Sequence, residues 1–238
     1  MIREISEQEN VLIQHAEKQF GEIYKLCNEY LSLTRCAKNF SPDSKVFSYF
    51  ISQFSNGFCL SVLSIIRRHI TQATMMIRQS LEASILACYS LVHVEENKFG
   101  RINEKGCLEP NKKLHKIAYE WIESNFPDFS SEIKRQKDSI NELFSHSNIV
   151  TTQTNIIEGE KKISALVFDS YPDSYIKVIL WKISNNINSI LRMYIEINKI
   201  SNKVIFKDNL ENKLNSLFVD LNKLNPILLK ELVDGSKL

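Results

Sequence analysis

The scarcity of turn-forming residues is the feature that most restricts the fold of this chain. Six glycines and five prolines are spread over 238 residues, which is about half of the usual share of these two residues together. A β-sandwich or a β-barrel needs many tight turns, so the sequence disfavours both. Long helices joined by few loops are predicted instead, in a chain long enough to bury one sizeable core.

Apolar residues at steps of three and four predict where the helices run. The predicted helices cover about 5–38, 44–68, 71–97, 111–125, 130–147 and 171–200, and a last one carries Leu210, Leu214, Leu217, Leu221 and Leu224 at heptad spacing. Pro226 breaks or restarts this last helix. Neither Pro nor Gly occurs between Arg67 and Thr71, so the sequence leaves open whether the second and third helices are continuous.

One segment has a different pattern. Two β-branched or apolar runs, at 149–152 and 163–168, flank Glu158-Gly159-Glu160, which is typical of a β-hairpin. The sequence therefore predicts an all-α protein, a single helical domain over residues 1–238 in which six or seven helices form a bundle with one small β-hairpin at about 149–168.

Charge and cysteine content indicate the compartment. Thirty Lys and Arg against 28 Asp and Glu give no overall field that would attract nucleic acid or anionic lipid. Five cysteines without a CxxC pair, and an N-terminus without a signal-peptide pattern, predict a cytoplasmic protein. Residues 46–66 hold no charge over a membrane-spanning length, but their many Ser, Asn and Gln residues predict a buried helix and no membrane.

Common catalytic and cofactor motifs are absent from the sequence. No GxSxG, GxxxxGK[ST], GxGxxG or HExxH pattern occurs, and the glycines are scattered singly, so no cofactor is predicted. Four histidines stand on different predicted elements without ligand spacing, and no metal site is predicted: His15, His69, His93 and His115.

Two polar pairs remain as candidate sites. Arg78 and Glu82 are spaced i, i+4 within an apolar helix, so they form either a satisfied internal salt bridge or the wall of a pocket. Arg67 would lie on nearly the same face if the two helices were continuous. Glu142 and His146 are also i, i+4 neighbours, so the carboxylate could orient the imidazole for acid–base chemistry, or His146 could simply stabilise a helix C-terminus.

The order of these parts resembles a group of bacterial helical proteins near the HEPN superfamily. The resemblance covers roughly residues 44–200 and rests on Arg78-Gln-Ser-Leu-Glu82, then Phe144-Ser145-His146-Ser147, then a hairpin and long helices. Active HEPN proteins are metal-independent ribonucleases with an Arg four to six residues before a His. This chain departs from that motif, because the nearest preceding arginine, Arg135, is separated from His146 by ten residues.

Two functions follow as expectations. The first is a HEPN-like module that binds a protein partner or serves as an accessory protein, in phage defence or a toxin–antitoxin setting. The alternative is a metal-independent ribonuclease that binds RNA, with His146 as general acid or base, Glu142 as its orienting group, and Arg78, balanced by Glu82, stabilising phosphate charge. We also predict a homodimer that uses the apolar stripes of the first and last helices.

Overall fold

The computed structural model describes residues 1–144, 153, 155–159 and 162–235. Its α-helices are α1 (Ile2–Phe20), α2 (Glu22–Leu33), α3 (Lys45–Ile66), α4 (Ile70–Val92), α5 (Glu96–Phe99), α6 (Leu114–Asn125), α7 (Pro127–Phe144), α8 (Asp173–Ser201) and α9 (Leu210–Gly235). Its strands are β1 (Ala37–Phe40), β2 (Gly100–Ile102), β3 (Leu108–Pro110), β4 (Ile156–Gly159), β5 (Lys162–Ala165) and β6 (Val204–Phe206). The prediction of an all-α bundle with a small β insertion is confirmed.

The first predicted helix is two helices, which is one reason why the described residues contain more helices than the six or seven predicted. Gly21 separates α1 from α2 with a φ of 59°, a backbone conformation that glycine adopts without the penalty of a Cβ atom. The predicted inner stripe nevertheless persists across the break, because Phe20, Ile23, Cys27 and Tyr30 are all buried.

The second and third predicted helices are also separate. α3 ends at Ile66 and α4 begins at Ile70, and Arg68 in the turn between them has a φ of 63°. The two helices pack side by side as a hairpin. They approach closely at Gly57, where an added Cβ would overlap Ser80 Oγ of α4.

Helix α8 lies at the centre of the bundle and packs against α2, α3, α4 and α9. The fully buried Tyr194 of α8 makes edge-to-face contacts with Phe47 and Phe54 of α3, at centroid distances of 5.4 and 5.5 Å. On the other side of α8, Trp181 donates a hydrogen bond to the carbonyl of Leu221 in α9 at 2.9 Å.

The apolar stripes of the first and last helices, which were predicted to form a dimer interface, are buried within the chain. Ala16 and Phe20 of α1 and Leu214 and Leu221 of α9 expose at most 2% of their surface. These faces therefore stabilise the single chain and are not free for a second copy. The homodimer itself stays a prediction, and it needs another surface. Helix α9 also continues through Pro226 rather than ending there.

Three antiparallel strand pairs decorate the bundle in the part of the chain that the structure describes. The predicted hairpin is confirmed as β4–β5, although Glu158 and Gly159 belong to its first strand and pair with Ile163 and Lys162 instead of forming the turn. Residues 149–152 lie outside the described residues. The sequence did not predict β2–β3, which occupies the connection between the predicted helices 71–97 and 111–125, nor β1–β6, which joins residues far apart in the chain.

Candidate functional site

The predicted pair on α4 is formed. Arg78 Nε lies 3.4 Å from Glu82 Oε1, and the two side chains are 33% and 29% exposed. They lie at the end of the partly exposed half of α4, since every position from 83 to 91 is buried. The pair is therefore a half-buried ion pair at the edge of the core, which costs less desolvation than a fully buried one.

A second cation, which the sequence did not predict at this site, comes from α7. Lys137 Nζ lies 3.2 Å from Glu82 Oε1, with the lysine side chain only 18% exposed. The same ammonium group lies 4.4 Å from the centre of the Tyr119 ring of α6, within cation–π range. Glu82 is thus shared by two cations, and the three helices α4, α6 and α7 meet at this cluster.

Two buried polar atoms, one on α6 and one on α7, have no hydrogen-bond partner among the described residues. The buried Tyr119 hydroxyl is one, and burial raises its pKa, an effect that the charge of Glu82 increases and that of Arg78 opposes. The other is Gln136 Oε1, although Gln136 Nε2 donates to Glu132 at 2.7 Å. The cluster of Arg78, Glu82, Tyr119 and Lys137 carries a net positive charge, and its Tyr119 hydroxyl forms no hydrogen bond with another described residue.

The second predicted pair is only partly described. The backbone of Glu142 lies in the last turn of α7, while its side chain and all of His146 lie outside the described residues. The predicted Glu142–His146 contact and the distance from Arg78 to His146 therefore stay predictions. What the structure does show is that α7, which precedes His146 in the chain, packs against α4 and is joined to it by the Lys137–Glu82 ion pair.

The turn between α3 and α4 carries a separate group of charges. Because the two helices are not continuous, Arg67 does not share a face with Arg78, and its Nε lies 3.7 Å from Glu9 of α1. His69 Nε2 lies 2.8 Å from the other oxygen of Glu9. This turn is therefore held against the first helix by the Arg67–Glu9 ion pair and the His69–Glu9 hydrogen bond, whose side chains are 20–34% exposed.

Residues 166–173, here called the strap, run up to the first residue of α8. They hold the same turn from the other side. The backbone N–H of Ile70, at the start of α4, donates to the carboxylate of Asp169, and the Asp169 N–H donates to the carbonyl of Arg68 at 2.8 Å. Arg68 in turn binds the carbonyl of Tyr171 and the carboxylate of Asp173. Burial raises the pKa of Asp169, which the Ile70 amide opposes. These contacts satisfy a helix terminus, so we interpret the strap as structural.

The outer face of α3 is a surface without charged side chains. Between Lys45 and Arg67 the exposed positions are Tyr49, Ser52, Gln53, Asn56 and Leu60, and none of them is charged. Tyr49 and Leu60 expose 59% and 50% of their surface. The exposed side of α1, by contrast, is rich in charge, with Arg3, Glu4 and Glu7 in its first two turns.

The same lack of charge makes α3 a candidate for membrane insertion by length and composition. Residues Pro42–Ile66 have a mean hydropathy of 1.4 in their most apolar window, and 56% of that window is buried inside the fold. The inner side of the helix packs on α4 and α8, which is the arrangement that the sequence predicted for a buried helix. Only its outer face is available to a partner.

The described ranges hold no cluster of side chains with the composition of a metal centre. No group of three or more His, Cys, Asp or Glu side chains converges there. His93 instead stacks on Tyr89 at 4.1 Å, and burial lowers its pKa. Two open depressions, of about 520 and 310 Å³, lie on the outer side of α7 and beside the start of α9. Neither includes Arg78 or Glu82.

Comparison with protein-family models, with characterised proteins and with solved structures finds no significant match for this chain.

Proposed function

We propose that this protein is a cytoplasmic, HEPN-like binding or accessory module of a phage-defence or toxin–antitoxin system, and that it binds a protein partner through the outer face of α3. The observation that carries the proposal is that all five exposed positions of this face are uncharged. In a chain with 24% charged residues, a whole helix face without charge is unusual for a surface that contacts only water.

The chemistry of this face fits a protein interface. Charged residues are depleted from the centres of protein–protein interfaces, whereas aromatic side chains are enriched there. Tyr49 supplies an exposed aromatic ring, and Gln53 and Asn56 supply amide donors and acceptors between apolar side chains. The ion pairs Lys45–Glu96 and Arg67–Glu9 flank the ends of the helix, so the charges form a rim around an uncharged centre.

A capture experiment in the host tests this proposal. Tagged wild-type protein and the variants Tyr49→Arg and Leu60→Arg are compared with Val11→Arg, a matched control at an exposed apolar position of α1. We expect the two α3 variants to lose the captured partner and any protection against phage, and the control to keep both. Equal behaviour of all three variants would refute a role of this face.

The second candidate function is a metal-independent ribonuclease. The contact between Lys137 and Glu82 supports it, because the proposed site requires α4 and the helix before His146 to be neighbours. In this proposal His146 is the general acid or base, Glu142 orients it, and Arg78 stabilises the phosphate with its planar guanidinium, held in place by Glu82. The RNA 2′-hydroxyl attacks the adjacent phosphorus and displaces the 5′-oxygen, so proton transfer at these two oxygens can replace a metal ion.

RNA cleavage in the presence of EDTA distinguishes the two functions. If the second one is correct, His146→Ala should lower the cleavage rate by about a hundredfold or more, with His115→Ala as a control at an exposed position of α6. Arg78→Ala is informative as well, because Glu82 keeps Lys137 as a partner; we expect it to cost only about 1 kcal/mol of stability. Wild-type protein that leaves RNA intact would exclude this candidate.

A further inference from the structure

The outer face of α3 contains five uncharged residues that lie in one row along the helix. Tyr49, Gln53, Asn56, Leu60 and Leu63 follow one another at steps of four, three, four and three. We call this set the α3 seam. All of its members are exposed or half-buried, while the inward positions of the same helix, such as Phe54 and Phe58, are fully buried. At this spacing the five side chains form one continuous stripe along the outer side of α3, so a second helix that packs along α3 would contact all of them.

We propose that the α3 seam pairs with the α3 seam of a second copy of this chain, antiparallel and about a two-fold axis at Asn56. The inference rests on the proposed function, since it names the partner that the uncharged face binds. It also gives the predicted homodimer a surface that the fold leaves free.

The position of Asn56 supports the antiparallel arrangement. The uncharged run covers 46–66, and Asn56 is its central residue. An antiparallel pair centred there places Tyr49 opposite the partner's Leu63, so that apolar side chains meet at both ends of the seam. The two Asn56 amides then meet on the axis, where each can donate to the other, and a buried Asn pair of this kind fixes the register of paired helices.

The charge distribution is compatible with a second copy. A two-fold contact brings identical patches together, so any charge near the axis would face a like charge. The α3 seam has none, and the cations that end the run are already paired: Lys45 with Glu96 at 2.9 Å and Arg67 with Glu9 at 3.7 Å. A partner with a strongly charged docking surface would find no counter-charge on the seam.

The size of the seam predicts a weak dimer. A helix of 22 residues is about 33 Å long and about 10 Å wide. One such face is therefore roughly 300 Å² per copy, well under the ~800 Å² per partner of a standard stable interface. We expect dissociation in the micromolar range or weaker, so the dimer forms only where the local concentration is high.

Cysteine cross-linking of the full chain tests both the partner and its orientation. The background carries Cys59→Ser and Cys107→Ser, which removes the two thiols that are not fully buried. In an antiparallel pair, Asn56→Cys lies opposite itself and should form an intermolecular disulfide under mild oxidation. Tyr49→Cys should not cross-link alone, because its counterpart is about 21 Å away along the helix, but it should do so when mixed with Leu63→Cys.

Sedimentation equilibrium of the wild type over about 1–500 μM supplies the second measurement. We expect a concentration-dependent dimer that Tyr49→Arg weakens at least tenfold, with an unchanged helical spectrum. Cross-linking of Tyr49→Cys with itself would overturn the antiparallel arrangement. A wild type that stays monomeric and gives no Asn56→Cys disulfide would overturn the inference altogether.

The failure of this inference can be told apart from failure of the proposed function. If the protein stays monomeric but Tyr49→Arg still abolishes capture of a host protein, the face binds a different protein and only the self-pairing is refuted. If the monomer instead floats with neutral phosphatidylcholine vesicles in a Tyr49-dependent manner, the occupant of the face is a membrane and both proposals fall.

Discussion

The close approach of α3 and α4 at Gly57 makes a stability prediction that a double-mutant cycle can test. Gly57→Ala adds a methyl group that would overlap Ser80 Oγ, and Ser80 is fully buried. The hydroxyl must then leave the Met76 carbonyl, to which it donates at 2.9 Å. Overpacking costs about 1–3 kcal/mol and the lost hydrogen bond about 1 kcal/mol, against a gain of about 1 kcal/mol from replacing glycine within a helix. A net loss of about 1–3 kcal/mol is expected.

The same substitution should be harmless once the hydroxyl group is gone. In Ser80→Ala the nearest remaining atoms to the new methyl, the Met76 carbonyl oxygen and the Cβ of residue 80, lie at 3.4 Å, which is ordinary contact. Gly57→Ala should then stabilise by up to about 1 kcal/mol, giving a coupling energy of about 1–4 kcal/mol between the two sites. Urea unfolding followed by circular dichroism measures all four proteins. An equal cost of Gly57→Ala in both backgrounds would refute this reasoning.

Three further predictions concern buried polar groups. Burial raises the pKa of Asp169 above its ordinary 3.8. The carboxyl group therefore contributes stability below that pH, and the contribution is lost as pH rises through the folded pKa. Asp169→Asn should remove this pH dependence of the free energy of unfolding, measured by urea titration at a series of pH values, and an unchanged dependence would contradict us. Burial raises the pKa of the Cys27 and Cys36 thiols to about 12, so a thiol reagent at pH 8 should label the exposed Cys107 quickly and both of these only on unfolding; rapid labelling of either would show that the packing is wrong. The buried Tyr194 hydroxyl has no hydrogen-bond partner among the described residues, so Tyr194→Phe should leave the free energy of unfolding unchanged or raise it by about 1 kcal/mol, and a clear loss of stability would reveal a partner.

Local spacing was enough to predict the helices and the Arg78–Glu82 pair, because an i, i+4 contact depends only on the helix that carries it. It could not predict that Gly21 would break the first helix, since a single glycine is tolerated in many helices. Strand β1 was not predicted because Ala37–Phe40 shows no alternation of apolar and polar residues. Its partner β6 also lies more than 160 residues later in the chain.

The rest of the cluster on α4 comes from other helices, and a pattern in the sequence points to one of its members. Lys137 belongs to a run of three cations with Lys134 and Arg135, which is typical of a solvated helix face, yet it lies between Ile133 and Ile140 at steps of four and three, on the buried side of α7. Its position on the apolar stripe of an amphipathic helix indicated a partly buried cation that needs a partner. No comparable pattern marks Tyr119, whose role depends on how α6 crosses α4.

The contact between the strap and α4 has a consequence for the order in which the chain acquires its structure. Asp169 follows Ile70 by 99 residues, and at a synthesis rate of about 5–20 residues per second the ribosome needs roughly 5–20 s to add that length. The α3–α4 hairpin can form earlier from contacts close in sequence. During this interval the carboxylate that binds the first amide of α4 has not been synthesised, so the N-terminal turn of the helix stays frayed until Asp169 is added.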